Sequence, residues 1–318
     1  MKRQPLWRST PPAIFPSILG LLGLGNGLRW LSGVWGYPVA AGDFLLGVAA
    51  ALLLFFSLSY LAKLLARPGV LPEDLRAPPG QAGLSALALG YLVLAMGVLS
   101  KGQIAHWFWW IGVGLFLLLL LVIIKVQLKT PRAARSITPY ALLPFTGLSA
   151  AAMAGFSLGY GLLSQIFVYA ALLAFIWLGV RLGIKLGRNR PPAPLRPAYA
   201  GFLMSPSLLG LGFGQFGPEV VFVGFLALAW LIALLMLAGA GWMTKSGFSP
   251  VWGEIGFAVA IFFNLNIMAI SKGYGFVADT GALAGALIGT PLILFIAYKT
   301  LKMWMQRDLA KKTGAATA

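Results

Sequence analysis

The sequence predicts an all-α integral membrane protein of ten transmembrane helices, and three observations carry that prediction. The 318-residue chain is 59% hydrophobic and only 10% charged, whereas a soluble domain carries about 25% charged residues. Its apolar residues fall into ten runs, each near the ~20 residues that cross a bilayer. The runs come in pairs, with short turns inside a pair and longer, basic, proline-rich links between pairs. Five helical hairpins of one orientation follow from that spacing.

In chain order, residues 1–12 form a short, basic, proline-rich tail, with none of the pattern of a cleavable signal. The spans are expected at about 13–31, 39–65, 83–99, 105–128, 140–160, 162–184, 198–216, 219–242, 251–270 and 278–305. The transmembrane domain thus covers 13–305, and 306–318 form a second tail. The links 67–80, 129–138 and 185–197 are the clearest breaks between pairs. Of the 24 Lys and Arg residues, only Arg29, Lys101 and Lys272 fall on the far side of this arrangement; the other 21 lie with the two tails. A split of that size is a strong positive-inside signal, so both termini are expected in the cytoplasm, as for a multi-pass protein of a plasma (inner) membrane.

Composition also removes function classes. With no cysteine and one histidine, disulfides, thiolate metal sites and multi-histidine centres are excluded, and no cofactor is expected. The net charge of +17 does not point to nucleic acid, because the basic residues sit at helix ends and in links, where topology explains them.

Odd and even runs differ in kind. The first holds Pro16, Gly20, Gly23 and Gly25, the fifth Pro144 and Gly155, and the seventh Pro206, Gly210, Gly212 and Gly214; even runs are smoother, as in LFLLLLLVII from Leu115. Bent, glycine-rich helices survive in lipid where neighbours or water satisfy the freed backbone groups. The odd helices are therefore expected as an inner ring about an axis normal to the membrane, and that axis is a candidate pathway. Tight packing alone is the other account of the glycines.

The ninth run carries the one glutamate deep in such a helix. Glu254 and Phe257 are i and i+3, with Gly253, Ile261 and Asn264 on the same stripe. A stripe mixing glycine, a carboxylate, an aromatic and an amide rarely faces lipid. Either it lines a pore that Phe257 plugs, or it packs against a neighbouring helix with Phe257 as filling.

The residues resemble the tellurite-resistance/dicarboxylate transporter family, which includes bacterial tellurite-resistance channel homologues and plant guard-cell slow anion channels. The resemblance is carried by FPSILGLLGLGNGLR from Phe15, by Gly42-Asp43, Lys63, Pro68 and LPEDLRAP in and after the second run, and by Thr138-Pro139, Pro144 and Leu158-Gly159-Tyr160 around the fifth. Pro206 matches in the seventh run, and Phe248 to Phe257 matches the opening of the ninth. No single motif is diagnostic, but together and in order, over about 15–305, they are specific. The resemblance implies five hairpins about a quasi-five-fold axis, a central pore in each protomer, Phe257 as pore-blocking gate, and a homotrimer. It also implies small anions as permeants and lipid as surroundings. Pore-lining positions are then Pro16, Gly20, Gly23, Pro144, Pro206, Gly210, Gly253, Glu254, Ile261 and Asn264. Ala258 and Glu254 depart from the family's pattern, and Glu254 leaves the ion preference open.

Catalytic constellations are absent: there is no HExxH, no GxSxG and no aspartate-rich helix. Glu73 and Asp74 are the only adjacent acids and are expected to pair with Arg67 and Arg76. His106, beside Trp107, Trp109 and Trp110, reads as part of an interfacial aromatic belt. The leading function is an anion channel gated by Phe257; the alternative is a proton-coupled carrier of a small organic acid or oxyanion of the dicarboxylate, sulfite or tellurite type. An intramembrane enzyme is a distant third. An ionised Glu254 ~6 Å from a passing anion would repel it by roughly 3 kcal/mol at an effective dielectric of 20. An anion path at this site therefore requires Glu254 to be protonated, paired with a cation, or turned into a polar pocket.

Overall fold

The computed structural model describes residues 5–36, 38–129, 138–188 and 192–317. Parts of the basic links, 130–137 and 189–191, lie outside the described residues, as do residues 1–4 of the first tail. Everything described is helix, turn or loop, and eight helices are long and apolar enough to cross a membrane.

The first four are α1 (Phe15–Trp35), α2 (Ala40–Ala66), α3 (Pro78–Gly97) and α4 (Gln103–Lys129). Proline stands in the first turn of α1 and of α3, where the missing N–H leaves no bond unmade. Gly36 ends α1 in the left-handed region at φ 73°, a conformation glycine adopts without strain.

The fifth expected span is not one helix. A 3-10 turn at Pro139–Ala141 leads into α5, which is Leu142–Thr146, a 3-10 turn at Gly147–Ala150, then Ala151–Gly155. Pro144 removes one intrahelical N–H and crowds the carbonyl four residues back. The Thr146 hydroxyl donates to the Leu142 carbonyl at 2.7 Å, and that of Ser149 to Thr146 at 2.7 Å. α6 (Gly161–Arg188) follows.

The seventh span is also composite, with a 3-10 segment at Ala193–Ala200 before α7 (Gly201–Phe216). Pro206 sits inside α7 without ending it. α8 (Glu219–Ala238) and α9 (Trp252–Ser271) are regular. α10 runs from Gly275 to Met305, with a π-helical turn at Gly285–Gly289. A short helix, α11 (Asp308–Thr313), closes the described chain.

Packing separates the helices into two sorts. In α1, α3 and α9, 83%, 89% and 83% of the spanning window is buried, against 17–39% in α2, α4, α6, α8 and α10. The exposed faces of the second sort carry large apolar side chains such as Phe44, Leu58, Leu118, Leu173 and Leu235, as lipid-facing surfaces do. The buried elements contact one another in sequence, α1 on α3, α3 on α5, α5 on α7, α7 on α9 and α9 back on α1. Each also packs on the element that follows it in the chain.

Candidate functional site

The site is built where the buried elements converge. α1 and α9 lie close along their lengths because glycines remove the side chains between them. A Cβ on Gly20 would stand 3.1 Å from the Gly256 carbonyl carbon and 3.2 Å from the Phe257 nitrogen, and one on Gly253 would stand 2.9 Å from Ser17. One on Gly23 would meet Ala260 at 3.0 Å and come within 3.9 Å of the Phe257 ring. Asn264, fully buried, donates from Nδ2 to the Gly23 carbonyl at 3.1 Å.

Phe257 is buried on the inner face of α9. Beside it is a small gap of about 10 Å³ bordered by Pro16 and Leu19 of α1, Leu143 of α5, Gly201 and Met204 of α7, and Glu254 and Phe257. Four buried elements thus meet around one phenyl ring. Pro16 and Glu254 also border a second, larger vestibule of about 110 Å³ toward the end of the bundle that carries the termini. Its other walls include Ala13, Tyr140, Leu195, Ser249, Pro250 and Lys312. At the opposite end, Arg29, Trp30, Val34, Gln215, Met268 and Ser271 border a third, open cavity of about 500 Å³.

Among the described residues no hydrogen bond or ion pair holds the Glu254 carboxyl, although the residue is buried. The hydroxyls of Tyr140 and Ser249, on the same vestibule wall, are buried without a partner. No group of three or more His, Cys, Asp or Glu that could hold a metal occurs among the described residues.

Of the expected positions, Phe257, Glu254 and Pro16 come together at the voids. Gly20, Gly23, Gly253 and Asn264 meet at the α1–α9 seam instead, with Ile261 against Gly23. Gly210 lies against Leu265 and Phe225. Pro144 and Pro206 are buried in α5 and α7, which are tied together by a 2.8 Å bond between Thr146 and Ser205. Sequence reasoning missed Tyr140, Ser249, Leu143 and Met204, which border the cavities.

The expected pairing of Asp74 needs correction. Glu73 does pair with Arg67, but Asp74 turns inward and accepts from Lys63 Nζ at 3.1 Å and Tyr60 Oη at 3.0 Å. The last turn of α2 places Tyr60 and Lys63 beneath the short helix Val70–Asp74, which the link's sequence does not announce. His106 joins Tyr160 at 2.8 Å, with Trp110 bonding the same hydroxyl and Trp109 stacked on its ring.

Residues 9–303 match the family described as SLAC1, voltage-dependent anion channel. The chain belongs to that family. No curated protein matches it. Membership, with the eight spanning helices, makes it an integral multi-pass membrane protein and an anion channel or transporter, with small anions as permeants and lipid around it. The family resemblance read from Phe15 onward is borne out over nearly its whole extent.

Proposed function

We propose that small anions pass along the axis between the buried elements, from the Glu254 vestibule past Phe257 to the cavity beside Arg29, and that Phe257 plugs this path at rest. The observation that carries the reading is the convergence of α1, α5, α7 and α9 on the void beside Phe257. An apolar constriction excludes hydrated ions by dewetting, so one aromatic ring can gate a pore without a strong binding site. Counting the composite fifth and seventh elements as spans gives ten in five hairpins about a quasi-five-fold axis. The charge bias of the links supports a cytoplasmic side for both termini and the vestibule, in a plasma membrane on this reading. On the family resemblance, three such protomers assemble as a homotrimer, each with its own path.

Phe257→Ala removes the plug. Basal anion current from purified protein in bilayers is expected to rise strongly, with a stability loss of up to a few kcal/mol from the lost buried contacts. Unchanged current in a folded, conducting variant would make Phe257 ordinary packing.

One observation favours a second reading. The unpartnered Glu254 carboxyl at the vestibule is the kind of intramembrane group that exchanges protons in coupled carriers. Flux measured with and without a pH gradient separates the two, because only the coupled carrier accumulates its anion against a concentration gradient when the pH gradient is imposed.

A further inference from the structure

We infer that Tyr140 and Ser249 form a hydrogen-bonding dwell site on the vestibule side of Phe257, which holds the anion before it reaches the constriction and favours oxygen-bearing anions over halides. The inference rests on the pathway proposed above and assigns residues to it.

Tyr140 stands where the 3-10 turn enters α5 and is 2% exposed, yet its hydroxyl has no partner. Ser249, in the turn before α9, is half-buried as a residue, and its hydroxyl is likewise buried without a partner. Leaving one buried hydroxyl unsatisfied costs about 1–3 kcal/mol, so two on one cavity wall are an arrangement that the contents of the cavity complete. Both residues border the vestibule of about 110 Å³, as does Glu254, which is neutral when the site holds an anion because its charge would repel one. Lys312 of α11 stands on the same wall.

The chemistry of this set selects its occupant. Two hydroxyl hydrogens offered from separate elements match an anion with two acceptor oxygens better than a spherical halide, because each oxygen takes one directed bond. The Lys312 ammonium adds attraction without direction. A small carboxylate such as formate fits the description and the space. Water fills the positions when no anion is present, and is displaced at little cost by oxygens that repeat its bonds.

Formate and chloride are the probes, and Tyr140→Phe and Ser249→Ala remove one hydroxyl each while keeping the shape of the wall. In bilayer recordings, on the Phe257→Ala background, each substitution is expected to raise the half-saturating formate concentration about 5-fold, the value of one ordinary hydrogen bond. The half-saturating chloride concentration and the melting temperature should hold. A formate value that stays put, or moves in step with chloride, overturns the site. Calorimetric titration of formate into the detergent-solubilised wild type and the two variants keeps the question separate from conduction. Binding that weakens about 5-fold in each variant supports the site even if no current is found, in which case the pathway reading alone falls. Equal binding in all three proteins, or none in the wild type, overturns the site whatever the currents show.

Discussion

Asp74 and Glu254 are both buried carboxylates near the end of the bundle that carries the termini, and they are built in opposite ways. Asp74 is saturated. One oxygen accepts from Lys63 and Tyr60, the other from the Ala316 backbone N–H at 2.8 Å, and Lys63 has a further bond to the Thr10 carbonyl at 3.0 Å. Glu254 has none of this and borders the vestibule. A buried charge with all its partners ties segments together, here residues near 10, 60, 74 and 316. A buried carboxyl with no partner gives the fold nothing in return for its desolvation, and its retention beside a cavity is an argument for function.

Substitutions can break this contrast. The largest effect is expected at Asp74. Asp74→Ala strands the Lys63 ammonium in the interior and should cost about 3–5 kcal/mol, read as a large fall in the melting temperature of the detergent-solubilised protein. Replacing both partners at once, Lys63→Met with Asp74→Leu, should recover most of that loss, since no uncompensated charge remains. Failure to recover would mean that Asp74 matters for its bonds to Tyr60 and Ala316 more than for its charge.

Glu254 should show the reverse pattern, with stability nearly indifferent and transport not. Glu254→Gln keeps the shape and removes the charge. A charged Glu254 repels a passing anion by roughly 3 kcal/mol at 6 Å, a flux penalty on the order of 100-fold. Wild-type flux is therefore expected to rise on acidification, as the carboxyl is neutralised, while the Gln variant conducts at a high, flat level. Tyr140 and Lys312 are the other titratable groups on the wall and are present in both proteins, so any pH dependence that survives the substitution belongs to them. Superimposable profiles would separate Glu254 from the pathway. A folded Gln variant without transport would favour the proton-coupled carrier.

The smallest effect should come from the surface. Arg67 pairs with Glu73 and also donates to the Thr317 carbonyl at 2.6 Å. Both side chains are substantially exposed, so solvent screens the pair. Glu73→Gln should change stability by less than about 1 kcal/mol, measured beside Asp74→Ala in the same thermal series. A loss approaching that of Asp74→Ala would erase the distinction between the buried and the exposed member of this acidic dipeptide.

The readable and unreadable parts of this structure divide along physical lines. Hydropathy located the spans to within a few residues, because bilayer thickness imposes a length that no packing detail alters. The glycines marked α1, α5 and α7 as inner elements, but not which glycines face a void and which face a helix. Gly20 and Gly253 allow close approach at the seam, and the same absence of a side chain would have suited a lining position. The break in α5 was signalled by Pro144, yet a proline bends one helix and sits quietly in another, as Pro206 does in α7. Tyr140 and Ser249 gave no signal, since a tyrosine or serine at the end of an apolar run looks like any interfacial residue. The Asp74–Lys63 pair joins two residues across a turn whose path only the fold defines.

The α1–α9 seam has a consequence for how fast the proposed plug would work. With Gly20 against the backbone at Gly256 and Phe257, α9 has no slack to slide or tilt away from α1, and densely packed interfaces do not deform continuously. On the pathway proposed above, opening by Phe257 is then a rotation of its ring with repacking of Leu19, Leu143 and Met204, since the gap beside it is only about 10 Å³, with the helix left in place. Amide hydrogen exchange along α1 and α9 should accordingly be slow and equal in the wild type and in Phe257→Ala, and single-channel records should show brief flickers in place of long, temperature-steep dwell times.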